Sequence, residues 1–158
     1  MSRTGIGFDS HRFAPGRPLV LAGVLIPHPD GLAGHSDADA VAHAVTDAIL
    51  GAAAAGSIGG HFPDSDARWK DADSMELLRR AVAIVRERGF RVVHADVTII
   101  AEVPRISPHT SAMAARLEEV LESGSGSVGV KGKTNEGMGF IGRGEGIAVF
   151  AAATVEAR

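Results

Sequence analysis

The sequence contains no cysteine. Disulfides, thiolate metal sites and cysteine nucleophiles are therefore excluded, which leaves histidine and carboxylate side chains as the ligands for any transition metal. Tyrosine is also absent, tryptophan occurs once, and the formal net charge is -3. Because nucleic-acid binding usually requires a basic surface and stacking aromatic rings, nucleic acid is not an expected partner.

Long apolar runs are missing as well. None reaches the ~20 residues that a membrane-spanning helix needs, and no positively charged and then apolar leader precedes Gly5. We therefore expect a soluble protein with a cytoplasmic location and no membrane partner. The 158 residues, of which 45% are hydrophobic and 22% charged, suit one globular domain covering residues 1–158.

Apolar periodicity and turn residues predict a mixture of strands and helices. Strands are predicted at residues 3–8, 91–101, 127–133 and 146–155, with a hairpin at 18–27 that turns at Ala22 and Gly23. Helices are predicted at residues 37–55 with Ser36 as N-cap, at 73–89 with Asp73 and Glu76 as a capping box, and at 107–124. Residues 56–72 are too rich in glycine, proline and aspartate for regular structure and form a candidate lid. This mixture predicts an α+β fold around one sheet.

Three residues near the N-terminus are candidate metal ligands. Asp9 and His11 are two residues apart at the end of the first strand, which puts both side chains on one face. His43 lies on the first helix between Asp39 and Asp47, either of which could orient its imidazole. Two imidazole nitrogens and one carboxylate are typical of catalytic zinc, which keeps an open fourth position. A solvated pair of residues with a helix-surface histidine is the alternative.

Two further segments are candidates for binding phosphate or a sugar. His35 and Ser36 precede the first helix, where backbone N–H groups and the helix dipole favour an anion, although Ser36 could simply cap the helix. Asp64 and Asp66 could bind sugar hydroxyls or a metal, but aspartate is also common in turns for conformational reasons.

A glycine-rich segment follows the strand predicted at residues 127–133. It contains Lys133, Thr134, Asn135 and Glu136, and its glycines allow the backbone to approach a ligand closely. Glu136 could hold Mg²⁺ together with phosphate oxygens, and Arg143 is a plausible anion contact. A glycine-rich hairpin with solvated charges is an equally good interpretation of this segment alone.

Taken together, these motifs resemble the 2-C-methyl-D-erythritol 2,4-cyclodiphosphate synthase family of the non-mevalonate isoprenoid pathway. The resemblance runs in matching order from about Gly5 to Ala152 and includes these segments: Gly7-Phe8-Asp9-x-His11, Gly34-His35-Ser36-Asp37-x-Asp39, His43 with Asp47, Phe62-Pro63-Asp64-x-Asp66, Ala72-Asp73-Ser74, Thr134-Asn135-Glu136-x-x-Gly139-Phe140 and Gly142-Arg143-Gly144-Glu145-Gly146.

The resemblance implies an enzyme that cyclises 4-diphosphocytidyl-2-C-methyl-D-erythritol 2-phosphate and releases CMP. It implies one Zn²⁺ per subunit, bound by Asp9, His11 and His43, and Mg²⁺ or Mn²⁺ bound by Glu136. Asp47 is implied to support the zinc ligands without binding the metal itself. Transition-state stabilisation is implied for His35 and Thr134. Implied substrate contacts are Asp9, His11, His35, Ser36, Ser57, Ile58, Gly59, Phe62, Asp64, Asp66, Ala101, Pro104, Arg105, Ser107, Lys133, Thr134, Asn135, Glu136, Phe140 and Arg143, of which the turn at 101–107 forms the cytidine pocket.

The resemblance also implies a ferredoxin-like fold, with helices covering one face of the mixed sheet, and a homotrimer with sites between subunits. An isoprenoid diphosphate in a central cavity, with Arg143 and Glu145 near its mouth, is implied as a further ligand. The sequence departs from the family at two positions, where Ser57 replaces the usual Asp and Lys133 the usual Thr. Ser57 carries no charge and accepts fewer hydrogen bonds, whereas Lys133 could contact phosphate or point outward.

Two other functions compete with this interpretation. A zinc phosphoesterase would use an activated water and produce linear phosphates. A non-catalytic trimer that binds isoprenoid diphosphate would keep its ligand after the loss of His43.

Overall fold

The computed structural model describes all 158 residues, with strands and helices mixed along the chain. In chain order its elements are β1 (Ser2–Pro15), β2 (Leu19–Leu21), β3 (Val24–Ile26), β4 (Asp30–Leu32), α1 (Ala40–Ala52), α2 (Ile58–His61), α3 (Ser74–Glu87), β5 (Phe90–Ile100), α4 (Thr110–Leu121), β6 (Val128–Lys133), α5 (Gly139–Gly142) and β7 (Gly146–Ala157). Short 3-10 turns occur at Ala67–Trp69 and Ser107–His109. The predicted α+β class in a single domain is confirmed.

Five strands form one mixed sheet in the order β4-β1-β7-β5-β6. Only β5 and β6 run parallel, and the other neighbours are antiparallel. The small β2–β3 hairpin forms a separate sheet and turns at Ala22 and Gly23, as predicted. Along the central pairing, Phe8 lies opposite Phe150 and Asp9 opposite Val149.

The helices pack on one face of the sheet. Helix α1 contacts β1 and β7, α3 contacts α1 and β5, and α4 contacts β6 and α3. A Cβ atom at Gly7 would lie 1.9 Å from the carbonyl oxygen of Ala44, and one at Gly5 would lie 2.3 Å from that of Ala48. Backbone-to-backbone contact therefore holds β1 against α1, and only glycine fits at these positions.

The opposite face of the sheet has no helix over it. The side chains of Ile6, Phe8 and Phe150 are 81%, 52% and 52% exposed, and the two phenylalanine rings lie 4.9 Å apart between centroids. Because side chains alternate along a strand, β1 directs Ile6 and Phe8 to this open face and Asp9 and His11 toward the helices. We call the exposed patch of Ile6, Phe8 and Phe150 the open apolar face.

The structure corrects several predicted boundaries at the N-terminal half. β1 continues to Pro15, so Asp9 and His11 lie inside the strand rather than at its end. α1 begins at Ala40 and is capped by Asp39, whose carboxylate accepts the N–H of Ala42 at 3.0 Å. Ser36 is not the cap, because Ala38 at φ +57° separates it from the helix.

Other elements differ from the prediction in detail. Asp73 caps α3, but Glu76 pairs with Arg79 and Arg80 instead of closing the capping box. The helix predicted to start at 107 begins as a 3-10 turn, and α4 ends at Leu121. Residues 56–72 contain α2 and a 3-10 turn, so they are not wholly irregular, and β4 and α5 were not predicted. None of the helices has the length and apolar character needed to cross a membrane.

Candidate metal and substrate site

The structure brings Asp9, His11 and His43 together where β1 packs against α1. The Asp9 Oδ2 atom lies 2.7 Å from His11 Nε2 and 3.1 Å from His43 Nδ1. The two imidazole nitrogens are 3.3 Å apart, and one ligand atom from each residue lies within 4.8 Å of the others. These side chains are mostly buried, at 25%, 16% and 15% exposure in chain order.

This donor set fits a catalytic transition metal. His11 Nδ1 lies 2.7 Å from the Ala33 carbonyl oxygen, to which it donates, so the neutral imidazole keeps its Nε2 lone pair for a metal beside Asp9. His43 uses its Nε2 atom outside the cluster, at 2.8 Å from Ser74 Oγ, and directs Nδ1 inward. Two imidazole nitrogens and one carboxylate oxygen therefore converge on one point, as in open zinc sites.

The protonation of the cluster follows from the same contacts. Burial alone would raise the pKa of Asp9, but hydrogen bonds from His11 and His43 outweigh it, so the pKa lies below its usual value. Burial would likewise lower the pKa of His11, yet the hydrogen bond and charge of Asp9 raise it above its usual value. When no metal is bound, the contact between Asp9 and His11 thus favours the carboxylate form of Asp9 and the protonated form of His11.

Asp39 and Asp47, the two carboxylates expected to orient His43, accept hydrogen bonds from backbone N–H groups instead. Asp47 accepts the backbone N–H of Ile58 at 2.7 Å and so fixes the start of α2. Asp39 accepts the N–H groups of Ala22 and Gly23 at 2.8 and 2.7 Å, in addition to capping α1. Burial raises the pKa of Asp39 to about 6. Neither carboxylate forms a hydrogen bond with His43, so the structure does not support the expectation that Asp39 or Asp47 orients its imidazole.

Sequence reasoning missed the contacts that the outer nitrogen of His43, Nε2, makes with two serines. Ser74 Oγ and Ser36 Oγ lie 2.8 and 3.2 Å from His43 Nε2, and Asp37 bonds to Ser74 in turn. Ser74 is 31 residues from His43 along the chain. No local pattern connects residues at that separation, although Ala72-Asp73-Ser74 belongs to the resembling segments.

A pocket of about 330 Å³ opens beside the metal cluster. Ten of the predicted site residues line it: Asp9, His11, His35, Ser36, His43, Asp47, Ile58, Gly59, Phe62 and Asp64. The His35 Nε2 atom is buried and has no hydrogen-bond partner in the protein. A buried polar atom without a partner costs free energy, and a phosphate oxygen in the pocket would satisfy this nitrogen in the tautomer that carries its proton.

Two predicted contacts at this end do not line the pocket, whereas five residues that were not predicted as contacts do: Phe8, Gly34, Pro63, Trp69 and Leu77. Ser57 precedes α2 as its N-cap and makes no side-chain capping bond. Asp66 binds the Arg68 guanidinium, and these hydrogen bonds hold the pKa of the carboxyl below its usual value. Trp69 lines the pocket, packs edge-on against Phe62 at 5.2 Å, and has a buried, unpartnered indole N–H.

A second pocket, of about 560 Å³, lies where β5 and β6 end side by side. It gathers six predicted contacts: Ala101, Pro104, Arg105, Ser107, Lys133 and Thr134. Glu102, which sequence reasoning also missed, accepts the backbone N–H groups of Asn135 and Gly137 at 2.7 and 3.2 Å. This carboxylate therefore fixes the backbone around Glu136, whose φ is +52°.

The remaining predicted contacts lie around α5. Phe140 is 44% exposed and lines a shallow pocket of about 190 Å³ together with Ser10 and His11. Arg143 follows α5 and pairs with Glu145 at 3.2 Å. Neither lines the 330 Å³ pocket or the 560 Å³ pocket.

The 330 Å³ pocket and the 560 Å³ pocket lie at the same end of the sheet but share no residue. Asp9, Val149, Ile99 and Gly132 form one row across β1, β7, β5 and β6. At ~4.8 Å per strand, three strand spacings separate the ends of this row by about 14 Å. Within one chain, the predicted site is thus divided between a metal pocket and a second pocket.

Comparisons with known proteins place these features in context. The YgbB family profile matches residues 2–156. A 2-C-methyl-D-erythritol 2,4-cyclodiphosphate synthase from Dechloromonas aromatica is 54% identical over 154 residues, covering 98% of this chain and 96% of that protein. A solved structure of a synthase of the same name with bound CDP has a TM-score of 0.89 and 38% identity, covering 98% of this chain and 100% of that one. The bifunctional IspDF from Campylobacter jejuni has a TM-score of 0.96 and 44% identity over this whole chain, which spans 43% of the larger protein.

Proposed function

The chain belongs to the YgbB family, and from that premise we propose that it acts as a 2-C-methyl-D-erythritol 2,4-cyclodiphosphate synthase, a phosphorus–oxygen lyase, in one domain covering residues 1–158. Close relatives carry this name over nearly their full length. The observation that carries the proposal is the convergence of Asp9, His11 and His43 on a pocket that also holds the unpartnered His35 Nε2.

The reaction is an internal displacement. The 2-phosphate of the substrate forms a bond to the β-phosphorus, and the bond from that phosphorus to the oxygen bridging to the α-phosphate breaks, so CMP leaves with the bridging oxygen. The attacking phosphate is already ionised near neutral pH, so no side chain has to remove a proton. Holding both ends of one molecule in position can lower such a barrier by up to ~7–11 kcal/mol.

The metal pocket supplies positioning and charge. Asp9, His11 and His43 would hold zinc, and Glu136 would hold magnesium or manganese. Such cations, when bound, polarise the phosphate oxygens and offset the charge that builds up during displacement. His35 donates its free N–H to a phosphate oxygen, while the α2 segment, fixed by Asp47, holds the methylerythritol end beside Gly59 and Asp64.

The second pocket is proposed to bind the cytidine end. Its wall is the turn between β5 and α4, with Arg105 on that wall and Thr134 on the neighbouring β6 side. Backbone N–H and carbonyl groups can read a pyrimidine edge, and Arg105 and Lys133 can contact the phosphates. Relatives solved with CDP support the choice of a cytidine nucleotide.

We assign the complete site to two neighbouring subunits of a homotrimer with a ferredoxin-like subunit fold. The open apolar face supports this assembly, because adjacent exposed rings and an aliphatic side chain on one sheet face are typical of an interface. The separation of the two pockets within one chain supports it as well. A central cavity formed by three such faces, with Arg143 and Glu145 near its mouth, would suit an isoprenoid diphosphate. The cytoplasmic location stays a prediction.

Product analysis tests the reaction. The purified protein is incubated with the cytidine diphosphate substrate, zinc and Mg²⁺, while CMP release and phosphorus NMR are followed beside His43→Ala. We expect a cyclic diphosphate that the variant does not form. CMP with a linear phosphate product would instead indicate the phosphoesterase. Isoprenoid diphosphate binding without turnover, in both the wild type and His43→Ala, would indicate the non-catalytic trimer.

Subunit mixing tests the division of the site. His43→Ala damages the metal pocket and Glu136→Gln the second divalent-cation site, so each variant alone should be inactive. If each site spans two subunits, mixed trimers contain some interfaces with both intact halves, and activity returns on refolding the variants together. Activity that stays at background after proven mixing would place each site within one chain.

Assembly itself is tested on the open apolar face. Phe150→Glu introduces a charge beside Phe8 on this face and should produce a monomer in sedimentation analysis. Leu25→Glu is the matched control, since Leu25 is 66% exposed on the separate β2–β3 hairpin. A trimer that survives Phe150→Glu would contradict this interface.

A further inference from the structure

The outer nitrogen of His43 faces a buried chain of polar groups. His43 Nε2 lies 2.8 Å from Ser74 Oγ, and Ser74 Oγ bonds to Asp37 Oδ1. The Ser74 side chain is fully buried at the first residue of α3. Asp37 also accepts the backbone N–H of Ser74 at 3.1 Å, so carboxylate and serine are joined twice.

Counting donors along this chain determines the direction of each bond. A carboxylate only accepts hydrogen bonds, so the single hydroxyl proton of Ser74 is directed to Asp37. The Ser74 oxygen must then accept from His43, which requires the proton of the imidazole to be on Nε2. His43 Nδ1 lies 3.1 Å from Asp9 Oδ2, to which it can donate when no metal is bound, and with the other ring proton held on Nε2 it is the nitrogen whose lone pair a metal would take.

We infer that Asp37 and Ser74 are positioning residues that fix His43 in the tautomer whose Nδ1 binds the metal. This deepens the proposed function, on which it rests, because it assigns the control of the metal site to α3. The carboxylate polarises the serine hydroxyl, and the serine holds both the ring orientation and the proton of His43. Ser36 Oγ, at 3.3 Å from Ser74 Oγ, can donate to the second lone pair of that oxygen.

The backbone around this chain makes it rigid. The N–H of Asp37 bonds to the Ala72 carbonyl at 3.2 Å, and the N–H of Asp71 bonds to the His35 carbonyl at 2.9 Å. The segment before α1 and the segment before α3 are thus joined by two backbone bonds just ahead of the serine. Because these backbone bonds fix Ser74, the His43 imidazole needs little rearrangement when a metal binds.

Asp37→Asn is the sharpest test because it changes one atom type and little volume. An asparagine amide can donate to Ser74 Oγ, which frees the serine proton to turn toward His43 and favours the wrong tautomer. Ser74→Ala removes the acceptor altogether. We expect both variants to bind zinc ~10–100-fold more weakly than the wild type in competition with a chelator, as is typical for groups behind a metal ligand.

The control is Asp47→Asn, which alters a carboxylate on α1 that also accepts a backbone N–H but does not contact His43. Its zinc affinity should equal that of the wild type. Nitrogen NMR of the zinc-loaded proteins gives a second readout: the His43 Nε2 proton should exchange slowly in the wild type and rapidly in Ser74→Ala. These measurements need no turnover, so they remain decisive if the proposed reaction is wrong.

Unchanged zinc affinity and unchanged Nε2 proton exchange in both Asp37→Asn and Ser74→Ala would overturn the inference. An equal loss of affinity in Asp47→Asn would also overturn it, because that result would indicate general loosening of the fold. If Ser74→Ala does not fold, Asp37→Asn alone decides the question by the same two readouts.

Discussion

Replacing Gly7 by alanine should damage both the stability of the fold and the metal site. The new Cβ atom would lie 1.9 Å from the Ala44 carbonyl oxygen, whereas real Cβ atoms essentially never approach within 3.0 Å. Strand β1 and helix α1 must therefore separate by about 1.1 Å at this point. His43 precedes Ala44 on α1 and would move away from Asp9, from which it is 3.1 Å distant.

The size of both effects follows from that displacement. Metal–ligand distances are held within roughly 0.2 Å, so a 1.1 Å shift of one ligand should lower zinc affinity by more than tenfold. Overpacking of this kind typically costs about 1–3 kcal/mol of unfolding free energy. At roughly 2–4 °C per kcal/mol for a chain of this size, the melting temperature should fall by about 2–12 °C.

The assay compares thermal melting and zinc affinity for Gly7→Ala and Gly51→Ala. Gly51 lies on the same helix, and the nearest atom to a Cβ there is the Ile6 carbonyl oxygen at 3.9 Å. The control should be neutral for zinc and more stable by about 0.5–1 kcal/mol, since alanine favours a helix over glycine. A Gly7→Ala protein that melts and binds zinc like the wild type would refute the claim that backbone contact sets the ligand distances.

Three further outcomes are expected. Asp47→Ala removes the acceptor of the Ile58 N–H and should raise the KM roughly five- to tenfold, which corresponds to about 1–1.5 kcal/mol, while zinc affinity stays unchanged. An unchanged KM would show that other contacts hold α2. Because zinc must displace the proton of His11, whose pKa Asp9 raises, zinc affinity should fall about tenfold per pH unit below that pKa, and a flat titration would contradict this. Trp69 is the single tryptophan and lines the metal pocket, so its fluorescence should change on binding the cyclic diphosphate, whereas a constant emission would place the ligand elsewhere.

The sequence allowed the metal ligands to be proposed because their spacing is local. Asp9 and His11 are two residues apart on a strand, and this period puts them on one face whether or not the strand ends there. His43 could be added because helix periodicity and the resemblance both pointed to it. The α+β class was predictable for the same reason, since each element carries its own apolar period.

What the sequence could not supply were contacts between distant segments and unusual backbone. Asp39 and Asp47 share a helix stripe with His43, yet the actual partner, Ser74, comes from another helix. Ser36 and Asp39 are both good capping residues, and the choice between them depends on the positive φ of Ala38, which alanine rarely adopts. Local patterns carry no information on either point.

Odd and even positions of strand β1 face opposite sides of the sheet, and this alternation limits which insertions and deletions the strand can accept. From Thr4 to Arg12, odd positions face the helices and include both strand ligands, while even positions face outward and include Ile6 and Phe8. Deleting or inserting one residue before Asp9 would exchange these two sets, because pairing with β7 fixes the pleat. Length changes in this strand are therefore tolerable only in pairs, so we expect natural variation here to consist of substitutions and of even-numbered insertions or deletions.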